Sequence, residues 1–213
     1  MTTMSAIADN CLSTLNVAAK GRQSVSGIIR LGPGECVYQA GERAASIYQV
    51  QAGAVRVSCL THNGHRHILS FYGVGEWFGL QDAETHEDFA EAVCDTQIRC
   101  AAVASCMAAP IDLLGVALTN LAAARARQLL VIRPSAIERV AAFVQEMAAR
   151  NSGAREFELM MSRSDIADYL GLTVESVARS FTKLRTSRVI HLQGRGQRQV
   201  RILNPQGLAA LGA

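Results

Sequence analysis

Two short helical segments, separated by a turn that contains a glycine, constrain the fold more than any other part of this chain. Ser162 and Asp165 have the spacing of an N-terminal capping box, and the apolar residues that follow predict a short helix ending at Gly171. Thr173 then has the position of an N-cap for a second helix over residues 174–185. Two short helices joined by such a turn predict a helix-turn-helix.

The second predicted helix has one apolar and one polar face. The apolar residues recur at helical spacing and are expected to be buried; they are Val177, Phe181 and Leu184. The polar face is formed by Glu175, Ala178, Arg179, Thr182 and Arg185. Arginine can donate two hydrogen bonds to guanine and glutamate can accept one from cytosine, so Glu175 and Arg179 are candidates for contacting bases in a DNA major groove, and Ala178 lies on the same face. The alternative is an ordinary Glu–Arg ion pair on a solvated helix.

Basic residues dominate the end of the chain. Residues 176–213 carry seven Lys/Arg and no Asp/Glu, whereas residues 1–134 carry ten Lys/Arg and eleven Asp/Glu. Two predicted strands, residues 189–192 and 199–203, flank a basic, glycine-rich tip, which is typical of the wing of a winged helix. Positive charges there suit phosphates, which position a protein on DNA without specifying sequence. The candidates for backbone contacts are Thr173, Ser176, Lys183, Arg188, Arg195 and Arg198.

The N-terminal half is rich in short β-type runs. Between residues 28 and 109, apolar runs are separated by single glycines, which predicts antiparallel strands. Asn63 and Gly64 lie between two such runs, residues 55–60 and 68–71. Because this dipeptide tolerates positive φ at both positions, it predicts a type I′ hairpin turn.

A long helix is predicted from Pro110 to Ile132, and Ser135 is expected to cap the next helix, Ala136–Arg150. The apolar residues of the long helix alternate spacings of three and four, which is typical of the seam between paired helices. Arg125 and Gln128 interrupt this seam with polar side chains. The alternative is a helix packed on its own β-domain. The candidate interface residues are Ile111, Leu114, Leu118, Leu121 and Ile132.

Over nearly all of residues 28–204, the chain resembles the CRP/FNR superfamily of bacterial transcription regulators. The segment SRSDIADYLGLTVESVARSFTKLRTSRVI is similar to the winged-helix signature of that family, and Glu175 and Arg179 match its paired base-contacting residues. The segments GECVYQAGERAASIYQVQAGAVRV, GEWFGL and FAEAVCDT resemble its cyclic-nucleotide-binding-type β-roll. Residues 110–132 match its dimerisation helix, which favours the seam over the alternative.

The resemblance implies an α+β chain in four parts. These are an N-terminal arm (1–27), an antiparallel β-roll (28–109), a dimerisation helix (110–133) and a winged helix-turn-helix DNA-binding domain (134–213). The resemblance also implies a homodimer that binds an inverted repeat of double-stranded DNA with a TGA core in each half-site, and RNA polymerase as a partner. Relatives usually have Ser or Gly where this chain has Ala178, so the outer base of the half-site is open to a contact between the alanine methyl and thymine.

The N-terminal half of the chain lacks the features of two well-known branches of that family. cAMP-binding relatives hold the cyclic phosphate with an arginine that follows a glycine turn, but residues 78–82 contain no arginine and the next one is Arg99. Iron–sulfur relatives crowd cysteines near the N-terminus, whereas only Cys11 precedes Lys20, and a cluster needs about four thiolates. We therefore predict no cofactor, and a FixK-like regulator of micro-oxic or nitrogen-related genes that needs no effector. The alternative is an effector- or redox-dependent sensor that uses haem, an iron–sulfur cluster or a thiol switch.

The cysteines are expected to be reduced thiols. Cys94, Cys100 and Cys106 recur every six residues, which places them on one face only if they lie on one continuous strand. Buried small hydrophobic residues are the first interpretation. A redox switch is the alternative, with Cys11, Cys94 and Cys100 as its candidates.

Other classes of function find little support in the sequence. His62, His65 and His67 cluster at the predicted hairpin without a nearby acid or cysteine, so we predict no metal site. No nucleophile–base pair or phosphate-binding loop is recognisable, so we expect no enzyme. No apolar run approaches the roughly 18 residues that span a membrane, and no export signal is apparent, which predicts a cytoplasmic protein.

Overall fold

A computed structural model describes residues 27–103 and 112–212 of the chain. The chain divides into two compact units, with the division between Ala122 and Ala123. The predictions made for Cys11, Cys106, Pro110 and Ile111 fall outside the described residues.

The described part of the first unit contains eight antiparallel strands in two four-stranded sheets. The strands are β1 (Gly27–Leu31), β2 (Cys36–Tyr38), β3 (Ser46–Ala52), β4 (Val55–Leu60), β5 (Arg66–Tyr72), β6 (Trp77–Phe78), β7 (Phe89–Ala92) and β8 (Thr96–Ala102). One sheet has the order β1-β8-β3-β6 and the other has the order β2-β7-β4-β5. This arrangement confirms the predicted antiparallel β-roll.

The core of the first unit lies between the inward faces of these strands. Val50, Val55, Phe78 and Ile98 are fully buried there. At Gly53 the backbone has a φ of 81°, and a Cβ atom would lie 2.5 Å from the carbonyl oxygen of Asp95. The turn between β3 and β4 therefore requires glycine both for its conformation and for the close approach of a neighbouring chain segment.

The hairpin between β4 and β5 lies where the sequence predicts it, but the predicted turn type is wrong. Gly64 has a positive φ of 74° and Asn63 does not, whereas a type I′ turn needs both. The Gly64 N–H donates to the Thr61 carbonyl at 2.8 Å, and the Thr61 N–H donates to the His65 carbonyl at 2.9 Å. The connection is therefore a three-residue loop with one left-handed glycine, because the pairing of Thr61 with His65 leaves three residues to be bridged.

A long helix, α1 (Leu113–Val131), follows and extends across the division between the two units. Asp112 accepts a hydrogen bond from the Gly115 N–H at 2.9 Å, as an N-cap side chain does. Leu113 packs on the cluster formed by Ile47 and Ala101 of the β-roll. The predicted seam residues are exposed; Leu114 is 69% exposed, Leu118 56%, Leu121 47% and Ile132 72%.

The second unit is a small α+β fold. Its elements are α2 (Ala136–Arg150), β9 (Glu156–Glu158), α3 (Arg163–Leu170), α4 (Val174–Thr186), β10 (Ile190–Gln193), β11 (Gln199–Ile202) and α5 (Pro205–Gly212). The strands form a sheet in the order β10-β11-β9, and α4 and α5 both pack on α2. The predicted α+β class is confirmed, although β9 and α5 were not anticipated from the sequence. Among the described residues, none of the helices combines the length and apolar character needed to cross a bilayer.

Candidate nucleic-acid interface

The helix-turn-helix is built from the caps that the sequence predicts. The Ser162 hydroxyl accepts from the Asp165 N–H at 3.0 Å, and the Asp165 carboxylate accepts from the Ser162 N–H at 3.1 Å, so the capping box is complete. Gly171 ends α3 in the left-handed conformation with φ 62° and ψ 42°. The Thr173 hydroxyl accepts from the Ser176 N–H at 3.2 Å and begins α4. Local hydrogen bonds therefore fix the start of both helices, and a left-handed glycine ends the first one.

The two faces of α4 are separated as predicted. Val177, Phe181 and Leu184 are at most 2% exposed, while the opposite face is open to solvent. Ser180 is also buried, which the sequence analysis missed; its hydroxyl donates to the Ser176 carbonyl at 2.8 Å. A buried serine on a helix is tolerated when its hydroxyl bonds back to the preceding turn.

Glu175 and Arg179 form an ion pair one turn apart on the exposed face of α4. The Arg179 Nη2 lies 3.3 Å from the Glu175 Oε1, and the two side chains are 72% and 73% exposed. Such solvated pairs contribute at most about 1 kcal/mol, so both groups exchange partners at low cost. Ala178 is exposed beside them and presents only a methyl group.

The candidates for backbone contacts lie in or next to α4 and at the wing. Lys183, Arg188 and Arg198 are exposed. The Thr173 hydroxyl donates to the Ser176 hydroxyl at 2.9 Å, so the two predicted hydroxyls are coupled at the start of α4. The backbone of Arg195 lies in the tip between β10 and β11, but its side chain is outside what the structure describes.

Arg163, which the sequence analysis did not select, connects α4 to the wing. Its guanidinium carbon lies 3.7 Å from the ring centroid of Phe181, and its Nη2 donates to the Gln197 carbonyl at 2.9 Å. Burial, with a smaller contribution from nearby Arg198, lowers the pKa of Arg163 to about 10, which leaves it charged at neutral pH. No sequence pattern identifies this role, because Gln197 is 34 residues away along the chain.

The β-roll contains a cavity of about 480 Å³, and its lining overlaps residues 78–82, where the resemblance to cAMP-binding regulators would place a cyclic phosphate. The lining residues that the structure describes include three acids and no Lys or Arg; they are Cys59, Leu69, Leu80, Gln81, Asp82, Ala83, Glu87 and Asp88. Burial raises the pKa of Asp88, while hydrogen bonds from Tyr38 and Gln81 act in the opposite direction. The charge of this lining is unsuited to an anionic phosphate.

Within the part of the chain that the structure describes, the redox and metal candidates do not form a cluster. Cys94 precedes β8 while Cys100 lies within it, so the two do not lie on one continuous strand. Both are half-buried free thiols. Among the described residues there is no group of three or more metal-binding side chains, and His62 and His65 are exposed at the hairpin.

Comparison with known families agrees with this architecture. Residues 138–211 match the Crp-like helix-turn-helix domain, and residues 28–105 match the cyclic nucleotide-binding domain. A CRP-family transcriptional regulator from Thermus thermophilus has a TM-score of 0.69 at 23% identity, covering 86% of this chain and 96% of that one. At that identity the likeness shows the fold alone.

Two groups of relatives identify the branch. The nitrogen fixation regulation protein FixK of Rhizobium meliloti is 40% identical over 179 residues, which cover 84% of each protein. The structure of FixK2 from Bradyrhizobium japonicum has a TM-score of 0.81 at 38% identity and covers 89% of this chain and 98% of that one. The transcriptional activator protein FnrA of Stutzerimonas stutzeri is 32% identical over 85% of this chain and 78% of its own length. These relatives are transcription regulators and not enzymes, and the chain belongs to the CRP/FNR family of DNA-binding transcription regulators, on its FixK side.

Proposed function

We propose that this chain is a FixK-like regulator that binds an inverted-repeat operator as a homodimer, without a small-molecule effector. The observation that carries the proposal is the solvent-exposed Glu175–Arg179 pair on a capped recognition helix, beside a basic wing. Arg179 contacts guanine, Glu175 contacts cytosine and Ala178 contacts the outer base of each half-site. In this proposal residues 28–109 form the β-roll, 110–133 the dimerisation helix and 134–213 the DNA-binding domain.

Phosphate contacts supply most of the salt-dependent affinity in this scheme. Exposed Lys183, Arg188 and Arg198 lie in or next to α4 and at the wing, and Thr173 and Ser176 lie at the start of α4. Arg195 at the wing tip completes the proposed set. Each phosphate neutralised by a basic side chain makes the affinity fall more steeply with salt.

The exposed apolar face of α1 supports the dimer. Four apolar side chains are each about half exposed or more; they are Leu114, Leu118, Leu121 and Ile132. Leaving such a row in contact with water is unfavourable, so a partner surface that buries it would stabilise the protein. Pairing α1 with its copy about a two-fold axis buries this row, and the proposed interface also includes Ile111. A two-fold protein requires a two-fold operator, which is an inverted repeat with half-sites about one helical turn apart.

The absence of an effector is inferred from the cavity. Its acidic lining opposes binding of a cyclic nucleotide, and the next arginine in the chain, Arg99, lies on β8 and does not line it. A regulator with no ligand must have its DNA-binding conformation as the dominant population. FixK relatives are named for regulating nitrogen fixation. We therefore assign the chain to nitrogen-related or micro-oxic genes in the bacterial cytoplasm, with RNA polymerase as its partner.

The test is selection of bound duplexes from a random pool by protein purified in air, without added cofactor, followed by titration at one fixed salt concentration. We expect an inverted repeat with a TGA core in each half-site, and the same affinity with and without cAMP. Binding that requires iron and sulfide, haem or a nucleotide would contradict the proposal. Binding that depends on added thiol reductant would instead indicate a switch at Cys11, Cys94 or Cys100.

A further inference from the structure

We propose that Arg127 and Arg139 are positioning residues that hold the helix-turn-helix at a fixed angle to the C-terminal half of α1, and thereby set the half-site spacing that the dimer accepts. We call the pair the arginine clamp. The inference rests on the proposed dimeric function.

The clamp closes on the C-terminal end of α3 from two other helices. Arg127, on α1, donates from Nη2 to the Tyr169 carbonyl at 3.4 Å, and its guanidinium carbon lies 5.1 Å from the Tyr169 ring centroid. Arg139, on α2, donates from Nη1 to the Leu170 carbonyl at 3.2 Å. The Nε of Arg139 also donates to the Arg133 carbonyl at 2.8 Å, in the connection between α1 and α2.

Helix-end electrostatics explain why two arginines converge here. The last carbonyls of a helix have no partners within the helix, and they carry the negative end of its dipole. The last turn of α3 contains no basic residue of its own. Arg127 and Arg139 therefore bring positive charge and hydrogen-bond donors to the carbonyls of Tyr169 and Leu170.

Tyr169, whose carbonyl accepts the bond from Arg127, is held in place by several contacts of its side chain. Tyr169 is 2% exposed, its hydroxyl lies 3.3 Å from both carboxylate oxygens of Glu146, and its ring contacts Phe143 edge-on at 5.9 Å. Glu146 is also paired with Arg150 at 3.0 Å. Since α3 packs against the recognition helix α4, a shift of α3 on the clamp also moves α4.

The C-terminal half of α1 carries Arg127 on one face and the seam on another. Arg125, Gln128 and Leu129 are exposed beside half-buried Arg127. In a dimer whose two-fold axis runs along the seam, the angle between this stretch and α3 fixes the separation of the two copies of α4. Half-sites lie about 34–36 Å apart, and one added base pair turns them by about 34° relative to each other. Without the clamp, the helix-turn-helix can reorient on α1 and follow a half-site that has been displaced by one base pair. With the clamp, it cannot.

The experiment compares binding to three kinds of duplex at fixed salt. The probes are the inverted repeat selected by the wild-type protein, the same repeat with one base pair added or removed between half-sites, and a duplex with a single half-site. For Arg127→Met, which keeps the aliphatic stem and loses the charge, we expect the preference for the native spacing to fall about tenfold. Single-half-site affinity and dimer mass should stay unchanged, and Arg127→Lys should recover part of the preference.

Matched controls separate the clamp from other effects. Arg155→Met removes one exposed positive charge from the same unit and should keep the wild-type spacing preference. If Arg127→Met fails to fold, Arg139→Lys, which keeps the charge but loses the bridge to Arg133, should show the same loss. An unchanged spacing preference in folded Arg127→Met or Arg139→Lys would overturn the clamp alone. A wild-type protein that binds a single half-site as tightly as the repeat would overturn the proposed function, and the clamp with it.

Discussion

At the scale of single residues, the Glu175–Arg179 ion pair has to be reconciled with the base contacts that we propose for the same two side chains. In free protein each group neutralises the other, and the exposure of both keeps the pair weak. In the proposed complex with DNA, each of the two side chains exchanges the other for a base edge. The ion pair expected of a solvated helix is therefore present and is compatible with base contact.

Arg179→Ala tests this assignment. We expect loss of most specific binding, with discrimination against the wrong base falling by about 1–3 kcal/mol, because a bidentate guanine contact is removed. The free energy of unfolding should stay within about 0.5 kcal/mol of the wild-type value, since the side chain is exposed. Competition between operator and random duplexes measures the change, with Arg155→Ala as the charge-matched control. Glu175→Ala should relax specificity instead, and a full operator preference in Arg179→Ala would show that another face contacts the bases.

His86 gives the β-roll a pH dependence of its own. It is 2% exposed, stacks on Tyr38 with ring centroids 3.6 Å apart, and neither ring nitrogen has a hydrogen-bond partner among the described residues. Burial lowers the pKa of His86. The unfolded chain therefore binds more protons than the folded one below about pH 6.5, and the free energy of unfolding falls as the pH drops through that value.

Replacing His86 with Phe keeps an aromatic ring against Tyr38 and removes the titrating group. The fall in the free energy of unfolding below about pH 6.5 should therefore become smaller. Urea unfolding at several pH values measures it, and the exposed His62→Phe serves as control. Half-buried Asp88, whose pKa is raised, acts with the opposite sign nearer to the usual carboxyl range, so the comparison is made above about pH 5. The same slope in His86→Phe and wild type would show that another group titrates.

At the scale of elements, α1 shows what periodicity alone leaves open. The heptad spacing fits both a helix pair and a helix lying on its own β-domain. The structure separates the two faces, because Leu113 packs on the β-roll while Leu118 and Leu121 point to solvent. The packed face and the seam are different faces of one helix.

Charged residues in the seam should therefore break the dimer without unfolding the chain. We expect Leu118→Glu with Leu121→Glu to sediment as a monomer with weak operator affinity, because burying two pairs of like charges at the interface is costly. The control is Thr119→Glu with Ala126→Glu, which adds the same charge to exposed positions away from the seam. An intact dimer in the seam variant would remove α1 from the interface.

At the scale of the whole molecule, charge and function are segregated. The acidic groups lining the β-roll cavity oppose phosphate, whereas the end of the chain is acid-free and basic. The positive charge at the end of the chain attracts DNA to the winged helix-turn-helix. The chain thus keeps the cyclic-nucleotide-binding fold while its cavity has the wrong charge for a cyclic nucleotide.

Local features of the fold could be predicted from the sequence alone. The caps at Ser135, Ser162 and Thr173, the glycine end of α3 and the buried face of α4 are all found where expected. Each depends on residues three or four positions apart, so the chain's own pattern determines it. The winged-helix part of the family resemblance, residues 162–190, contains the caps at Ser162 and Thr173, the glycine end of α3 and the buried face of α4.

Tertiary structure decided the contacts between distant segments. The bond from Arg163 to Gln197, the clamp from Arg127 to Tyr169 and the pairing of β9 with β11 join residues that lie 34 or more positions apart. The hairpin register, which set the turn type at Gly64, also depends on how two strands align. Periodicity and capping rules carry no information about such pairs, because a long-range contact is selected by the packing of the whole unit and not by the spacing of residues along the chain.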